Sequence, residues 1–180
     1  MERTFLLIKP DGVTRGLVGD ILSRFEKAEL RIVGMKLLVP TADLIRKHYP
    51  SSDEWLGTAG NKTLRDYEKN RIDPKKELGT NDPIKIGKMI KEWLITYLTS
   101  GPVVAMVLEG NHAIENVRRL VGPTLPILAG PGTIRGDYSC ESPDLSNKER
   151  RPVKNLVHAS GDASEAKNEI ALWFKKHELL

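Results

Sequence analysis

Of the four histidines in this sequence, His158 is the one whose surroundings could make it a nucleophile. It lies in Val153-Lys154-Asn155-Leu156-Val157-His158-Ala159-Ser160-Gly161-Asp162. Two β-favouring residues precede it, and Gly161-Asp162 opens a helical pattern running to Trp173-Phe174. This reads as a short buried strand ending in an exposed histidine, then a helix. Asp162, with Glu165 three residues on, matches a capping box that would hold the turn rigid. An imidazole titrates near pH ~6.5, so it is largely neutral at physiological pH and able to attack phosphorus. Taken alone, these ten residues also fit a histidine that only satisfies backbone groups in a strand-to-helix turn.

Six other side chains could serve phosphate chemistry: Lys9, Tyr49, Arg118, Thr124, Arg135 and Asn155, each at the end of an expected element. Lys9 follows the apolar run Thr4 to Ile8 and opens the turn Lys9-Pro10-Asp11-Gly12. It could reach a phosphate or sugar hydroxyl, or stand as a solvated charge. Tyr49 closes a short helix stopped by Pro50, as a ligand residue or an ordinary helix-end aromatic. Phosphoryl transfer rests on positioning and charge neutralisation, and one arginine aimed at the transferring group is worth roughly 10³ to 10⁵ in rate.

The elements that must position these groups follow from periodicity. Strands are expected at Thr4 to Ile8, Arg31 to Leu38, Val103 to Leu108 and before His158. Helices are expected at Leu17 to Ala28, from Thr41 to His48, at Ile84 to Tyr97, at Ile114 to Val121 and after Asp162, with a weaker pattern at Thr63 to Lys69. The economical architecture is α+β: a ferredoxin-like split βαβ fold, a four-stranded antiparallel sheet with helices on one face. From Pro50 to about Lys88 the composition turns polar and charged, which reads as a helical insertion and not a second domain.

With 180 residues and 39% hydrophobic content, the chain supports one compact core. Its apolar runs are too short to cross a bilayer and Met1 leads straight into a strand, so a soluble cytoplasmic protein is expected. Cys140 is the sole cysteine, and the histidines lack zinc-ligand spacing. A net charge of +4 points to an anionic partner without naming it. No Walker motif occurs. The run Gly130-Pro131-Gly132-Thr133-Ile134-Arg135-Gly136 is one residue too long for a dinucleotide fingerprint, and the kinase motif set is missing.

Four segments together resemble the nucleoside diphosphate kinase family. They are Ile8-Lys9-Pro10-Asp11-Gly12-Val13 with Arg15-Gly16-Leu17; Ser100 to Val107; Pro131 to Asp137; and Asn155-Leu156-Val157-His158-Ala159-Ser160. The resemblance implies a ping-pong enzyme: His158 takes the γ-phosphoryl of a nucleoside triphosphate on Nδ1 and passes it to a nucleoside diphosphate, with Mg²⁺ bridging the phosphates. It implies that Lys9 and Asn155 meet the ribose 3′-hydroxyl, that Tyr49, Arg118, Thr124 and Arg135 hold the phosphate chain, and that Ser160 and Glu169 steady the imidazole. Glu169 also falls, by helical spacing, on the face of the last helix towards the turn. A homo-oligomer, hexamer or tetramer, is implied as well.

The chain departs from the family pattern in four places. It is longer at about 50–88 and at 140–151, within a single domain spanning 1–180. The position of the family's base-stacking aromatic falls on Ile90, with Leu94 one turn on. Trp55 or Trp93 could supply the base platform instead, or both could be core of the inserted helices. Lys148, Arg150, Arg151 and Lys154 could form a mobile basic rim or a solvated loop, and Gly161 stands where the family often has Asp. The competing readings are a nucleic-acid-binding protein, motivated by the basic charge, and a regulatory oligomer on the same fold. Few aromatics are interleaved with basic residues, which disfavours nucleic acid.

Overall fold

A computed structural model describes all of residues 1–180. In chain order the elements are β1 (Glu2–Ile8), α1 (Pro10–Thr14), α2 (Val18–Glu26), β2 (Arg31–Leu38), α3 (Ala42–His48), α4 (Asp53–Lys69), α5 (Pro74–Leu78), α6 (Pro83–Leu98), β3 (Val103–Gly110), α7 (Ala113–Val121), α8 (Ile134–Tyr138), α9 (Pro143–Lys148), β4 (Val157–Ala159) and α10 (Ala163–Trp173). The four strands form one sheet in the order β2-β3-β1-β4, every neighbour antiparallel. This is the ferredoxin-like arrangement.

Helices cover both faces of the sheet, not one. Leu6, Ile8, Met106 and Leu108 meet Ile21 and Phe25 of α2 and Val117 and Val121 of α7. On the other face, Phe5, Leu7, Ala105 and Val107 meet Ile45 of α3, Ile95 and Leu98 of α6, and Trp173 of α10. The reason lies in the sequence of the central strands: β1 and β3 are apolar at consecutive positions, and such runs need cover on both sides. The edge strand β2 instead exposes Met35 and Leu37, at 52% and 66% of their surface.

The expected strand before His158 is shorter than its pattern. Only Val157–Ala159 pairs with β1, which puts His158 opposite Leu7 in the strand's middle and not at its end. Upstream, Leu156 adopts a left-handed φ of 69°. Its carbonyl accepts from the Lys9 amide at 2.8 Å and its amide donates to Asp11 Oδ2 at 3.1 Å. These bonds tie the chain to the end of β1 and stop it running on as a strand.

The polar stretch after Pro50 folds as α4, α5 and the start of α6, with α4 beginning ten residues before its apolar pattern. Ser52 starts it by accepting the Trp55 amide. Its buried face is Leu56, Gly60, Thr63 and Tyr67, helical in spacing but half of it glycine and threonine, hence faint as a hydrophobic period. Those small residues let α4 and α6 touch backbone to backbone. A Cβ on Gly60 would lie 1.9 Å from the Pro83 carbonyl oxygen, and one on Gly87 2.1 Å from that of Leu56. The α9 segment docks onto the end of α4 through Asn70 Nδ2 to Asp144, and onto α5 through Arg150 to the Glu77 carbonyl. No helix is long and apolar enough to cross a membrane.

Candidate active site

His158 stands over a buried carboxylate. Glu169, one side of α10, reaches back beneath β4, and its Oε1 lies 2.6 Å from His158 Nε2. Its Oε2 accepts from Ser160 Oγ at 2.6 Å. The helix is anchored at Asp162, whose side chain accepts the Glu165 amide at 2.9 Å; Glu165 in turn accepts the Gly161 amide, where a capping box would have it bind Asp162. A carboxylate only accepts, so Nε2 carries the imidazole proton and Nδ1 keeps a lone pair. The ring is 17% exposed, where the sequence pattern leads one to expect an exposed histidine. Burial first, then the charges of Lys9, Arg135 and Arg118, hold its pKa far below the usual imidazole value. Burial pushes the Glu169 carboxyl up, against His48 and Ser160, which hold it down.

The cationic and hydroxyl donors converge from distant parts of the chain. Lys9 is buried at the end of β1 and donates to Asn155 Oδ1 at 2.7 Å, while Asn155 Nδ2 donates to the Thr124 carbonyl at 2.8 Å. Desolvation, helped by Arg135, lowers the Lys9 ammonium to about 8. The guanidinium of Arg118, exposed on α7, has no hydrogen-bond partner within the chain, nor do the hydroxyls of Thr124 and Tyr49. Arg135 is different. Its Nε and two terminal nitrogens donate to the carbonyls of Asn155, Gly122 and Val157, at 3.1, 2.8 and 2.7 Å, so the guanidinium braces the β4 approach as well as facing the cavity.

All of these side chains, with His158, line one cavity of about 610 Å³, in the usual range for a small-molecule site. Its far end is walled by Trp55, Ile90, Trp93 and Leu94, and closed by α4 and α9. Asp66 is its one carboxylate.

The sequence model of the family described as nucleoside diphosphate kinase matches residues 2–55 and 84–179. The chain belongs to the nucleoside diphosphate kinase family. The enzyme is thus a nucleotide-binding phosphotransferase. It is 56% identical over 180 residues to a nucleoside diphosphate kinase from Pyrobaculum aerophilum, covering 100% of this chain and 98% of that one. A solved structure of an NDP kinase from the same organism superposes with a TM-score of 0.98 at 55% identity, over 99% of this chain and 98% of that one. The cytosolic nucleoside diphosphate kinase of Dictyostelium discoideum is 38% identical over 99% of this chain and 88% of its own length. A Borrelia burgdorferi nucleoside-diphosphate kinase, solved as a transition-state mimic with vanadate and ADP bound, gives a TM-score of 0.77 at 37% identity, over 99% and 90% of the two chains.

Within this nucleoside diphosphate kinase fold, the two arginines of the basic rim are not free. Arg151 pairs with Glu141 at 2.7 Å and Glu149 at 2.5 Å, and Arg150 is tied to Glu77. Carboxylates close in sequence capture Arg151, and a distant backbone carbonyl takes Arg150. Sequence reasoning also passed over His48, whose ring sits edge-on to His158 with centroids 4.6 Å apart. Its Nδ1 accepts from the Trp173 indole at 3.3 Å, and burial, with His158, pushes its pKa down to about 3. Asp11 was missed too: it holds the Tyr97 hydroxyl as well as the Leu156 amide. No spacing rule joins residues 48 and 158; the one available signal was that His48 falls on the apolar face of its helix.

A ring that is neutral when folded but takes a proton near pH ~6.5 when unfolded costs stability in acid. The contribution is intact above that pH and is lost progressively as pH falls towards 3, the value for His48. Heteronuclear NMR should therefore find His158 and His48 still neutral at pH ~5.5, with the unfolding midpoint dropping on acidification. A His158 titration midpoint near the free imidazole value would refute the burial argument.

Proposed function

We propose that the enzyme transfers the γ-phosphoryl group of a nucleoside triphosphate to a nucleoside diphosphate by a ping-pong route through His158. The observation that carries this is the 2.6 Å contact fixing the Nε2 proton on Glu169, which leaves Nδ1 as the nucleophile among three cationic side chains. In the first half-reaction the Nδ1 lone pair attacks the γ-phosphorus and the bond to the bridging oxygen breaks. The diphosphate leaves with that electron pair. In the second, a terminal oxygen of another nucleoside diphosphate attacks the phosphohistidine and the N–P bond breaks. Glu169 and Ser160 hold the ring throughout. Arg118, Arg135, Thr124 and Tyr49 receive the phosphate oxygens, and Lys9 and Asn155 the ribose 3′-hydroxyl, with Lys9 also near the phosphates.

Mg²⁺ fits as a cofactor carried by the nucleotide. The phosphate end offers cations, hydroxyls and amides but no carboxylate, so the phosphate oxygens would hold the ion, which when bound spreads their charge. The nucleobase would lie at the far end against Trp55 or Trp93, with Ile90 and Leu94 beside it; Trp93 also packs on the small core of Tyr67, Leu78 and Ile86, so Trp55 is the freer platform. A homo-oligomer, hexamer or tetramer, is supported by the apolar edge strand, where Met35 and Leu37 lie open. The chain is read as one domain with insertions at about 50–88 and 140–151, the first in keeping with the break in the family match, and as cytoplasmic, in keeping with its Dictyostelium relative.

Incubation with γ-labelled ATP should leave acid-labile, base-stable label on the protein that GDP removes as labelled GTP. His158→Ala should lose the label, and Arg118→Ala should slow transfer by roughly 10² to 10³. Label that survives in His158→Ala refutes the mechanism. Trp55→Ala should raise the KM for nucleotides more than Trp93→Ala, and unchanged values for both would remove the base platform. Taken from the soluble fraction of its cells, the protein should sediment as a hexamer or tetramer, and Leu37→Glu should shift it to smaller species; a monomer in the wild type would end the oligomer claim.

A further inference from the structure

Outside the cavity, one charged side chain is buried with no carboxylate to receive it. Lys91, on α6, is 7% exposed. Its ammonium lies 2.6 Å from the Tyr49 carbonyl, 2.6 Å from Ser51 Oγ, 3.1 Å from the Arg46 carbonyl and 3.2 Å from the Pro50 carbonyl. Three N–H groups thus meet four oxygens, all from the end of α3 and the link to α4. A helix ends with carbonyls that lack partners, and Pro50 cannot supply an amide to prolong the turn. Lys91 supplies the missing donors and the positive charge that a helix C-terminus favours.

The link it grips separates two aromatic rings on the cavity wall. Tyr49 precedes it and Trp55 follows the Ser52 cap, and the rings meet with centroids 5.8 Å apart at a tilt of 39°. Lys91 itself does not line the cavity. We propose that Lys91 is a positioning residue for nucleotide binding: its buried ammonium fixes the α3–α4 link, and through it the Tyr49–Trp55 pair that the nucleotide meets. This rests on the reading of the cavity as the nucleotide site. The ammonium contributes no contact to the nucleotide, so its loss weakens binding of substrate and transition state alike and spares the transfer step.

Lys91→Met keeps the stem and removes the donors. It should raise the KM for GDP and the Kd for ADP, by titration calorimetry, roughly tenfold, with kcat changed less than about twofold. In a Tyr49→Ala background the same change should add less than about twofold, because residues acting through one another are not additive. Lys91→Gln, which retains two donors, should fall between, and it carries the readout if the Met variant does not fold. Unchanged ADP affinity with a lowered melting temperature would overturn the proposal, as would full additivity with Tyr49→Ala or a failure of both variants to fold. A wild type that binds ADP but does not phosphorylate GDP would instead remove the transfer mechanism, leaving Lys91 to be judged on affinity.

Discussion

Glu169 is 5% exposed and carries the arrangement of the whole site. A buried carboxylate is costly unless every oxygen is engaged, and here one oxygen takes His158 Nε2 and the other Ser160 Oγ. Meeting that condition requires β4 to end in register with β1, and α10 to start at a fixed residue so that its second turn lies beneath the sheet. Trp173, one turn further, donates to His48 Nδ1 and so holds that neutral ring in the same buried cluster, 3.4 Å from Oε1. An apolar residue at position 169 could fill the space as stably. What the carboxylate adds is a choice of tautomer.

The two ends of the cavity have different origins. The phosphate end is made by termini of the sheet layer: Lys9 after β1, Arg118 at the end of α7, Asn155 before β4. The far end is made by α4 and α9, and α4 lies mostly in the part that the family match skips. Close packing at Gly60 and Gly87 ties that wall to α6, and α6 continues into the sheet layer through Ile95 and Leu98. One helix therefore joins the two ends.

Much of the fold was legible because its signals are local. The apolar runs of β1 and β3, the Thr41 cap, Pro50 as a stop and Asp162 as a start all appear where local chemistry puts them. What was not legible depended on distance or on weak periods. The face of α4 holds glycine and threonine, so its length was hidden, and the contiguous apolar residues of β1 could not say that both faces were covered. In the site, Glu169 could be placed from helical spacing, since it shares an element with its anchor. His48, Asp11 and Lys91 reach their partners across 110, 145 and about 42 positions of sequence, and no local pattern reports that.

The left-handed Leu156 settles which way the nucleophile faces. A leucine in that conformation costs about 1–2 kcal/mol, and glycine would relieve it. Yet glycine would also free the chain to slide along β1, and side chains alternate across a strand, so a slip of one position would turn the imidazole to the opposite side of the sheet. The strained residue, clamped at both its amide and its carbonyl, works as a ratchet tooth that admits a single alignment.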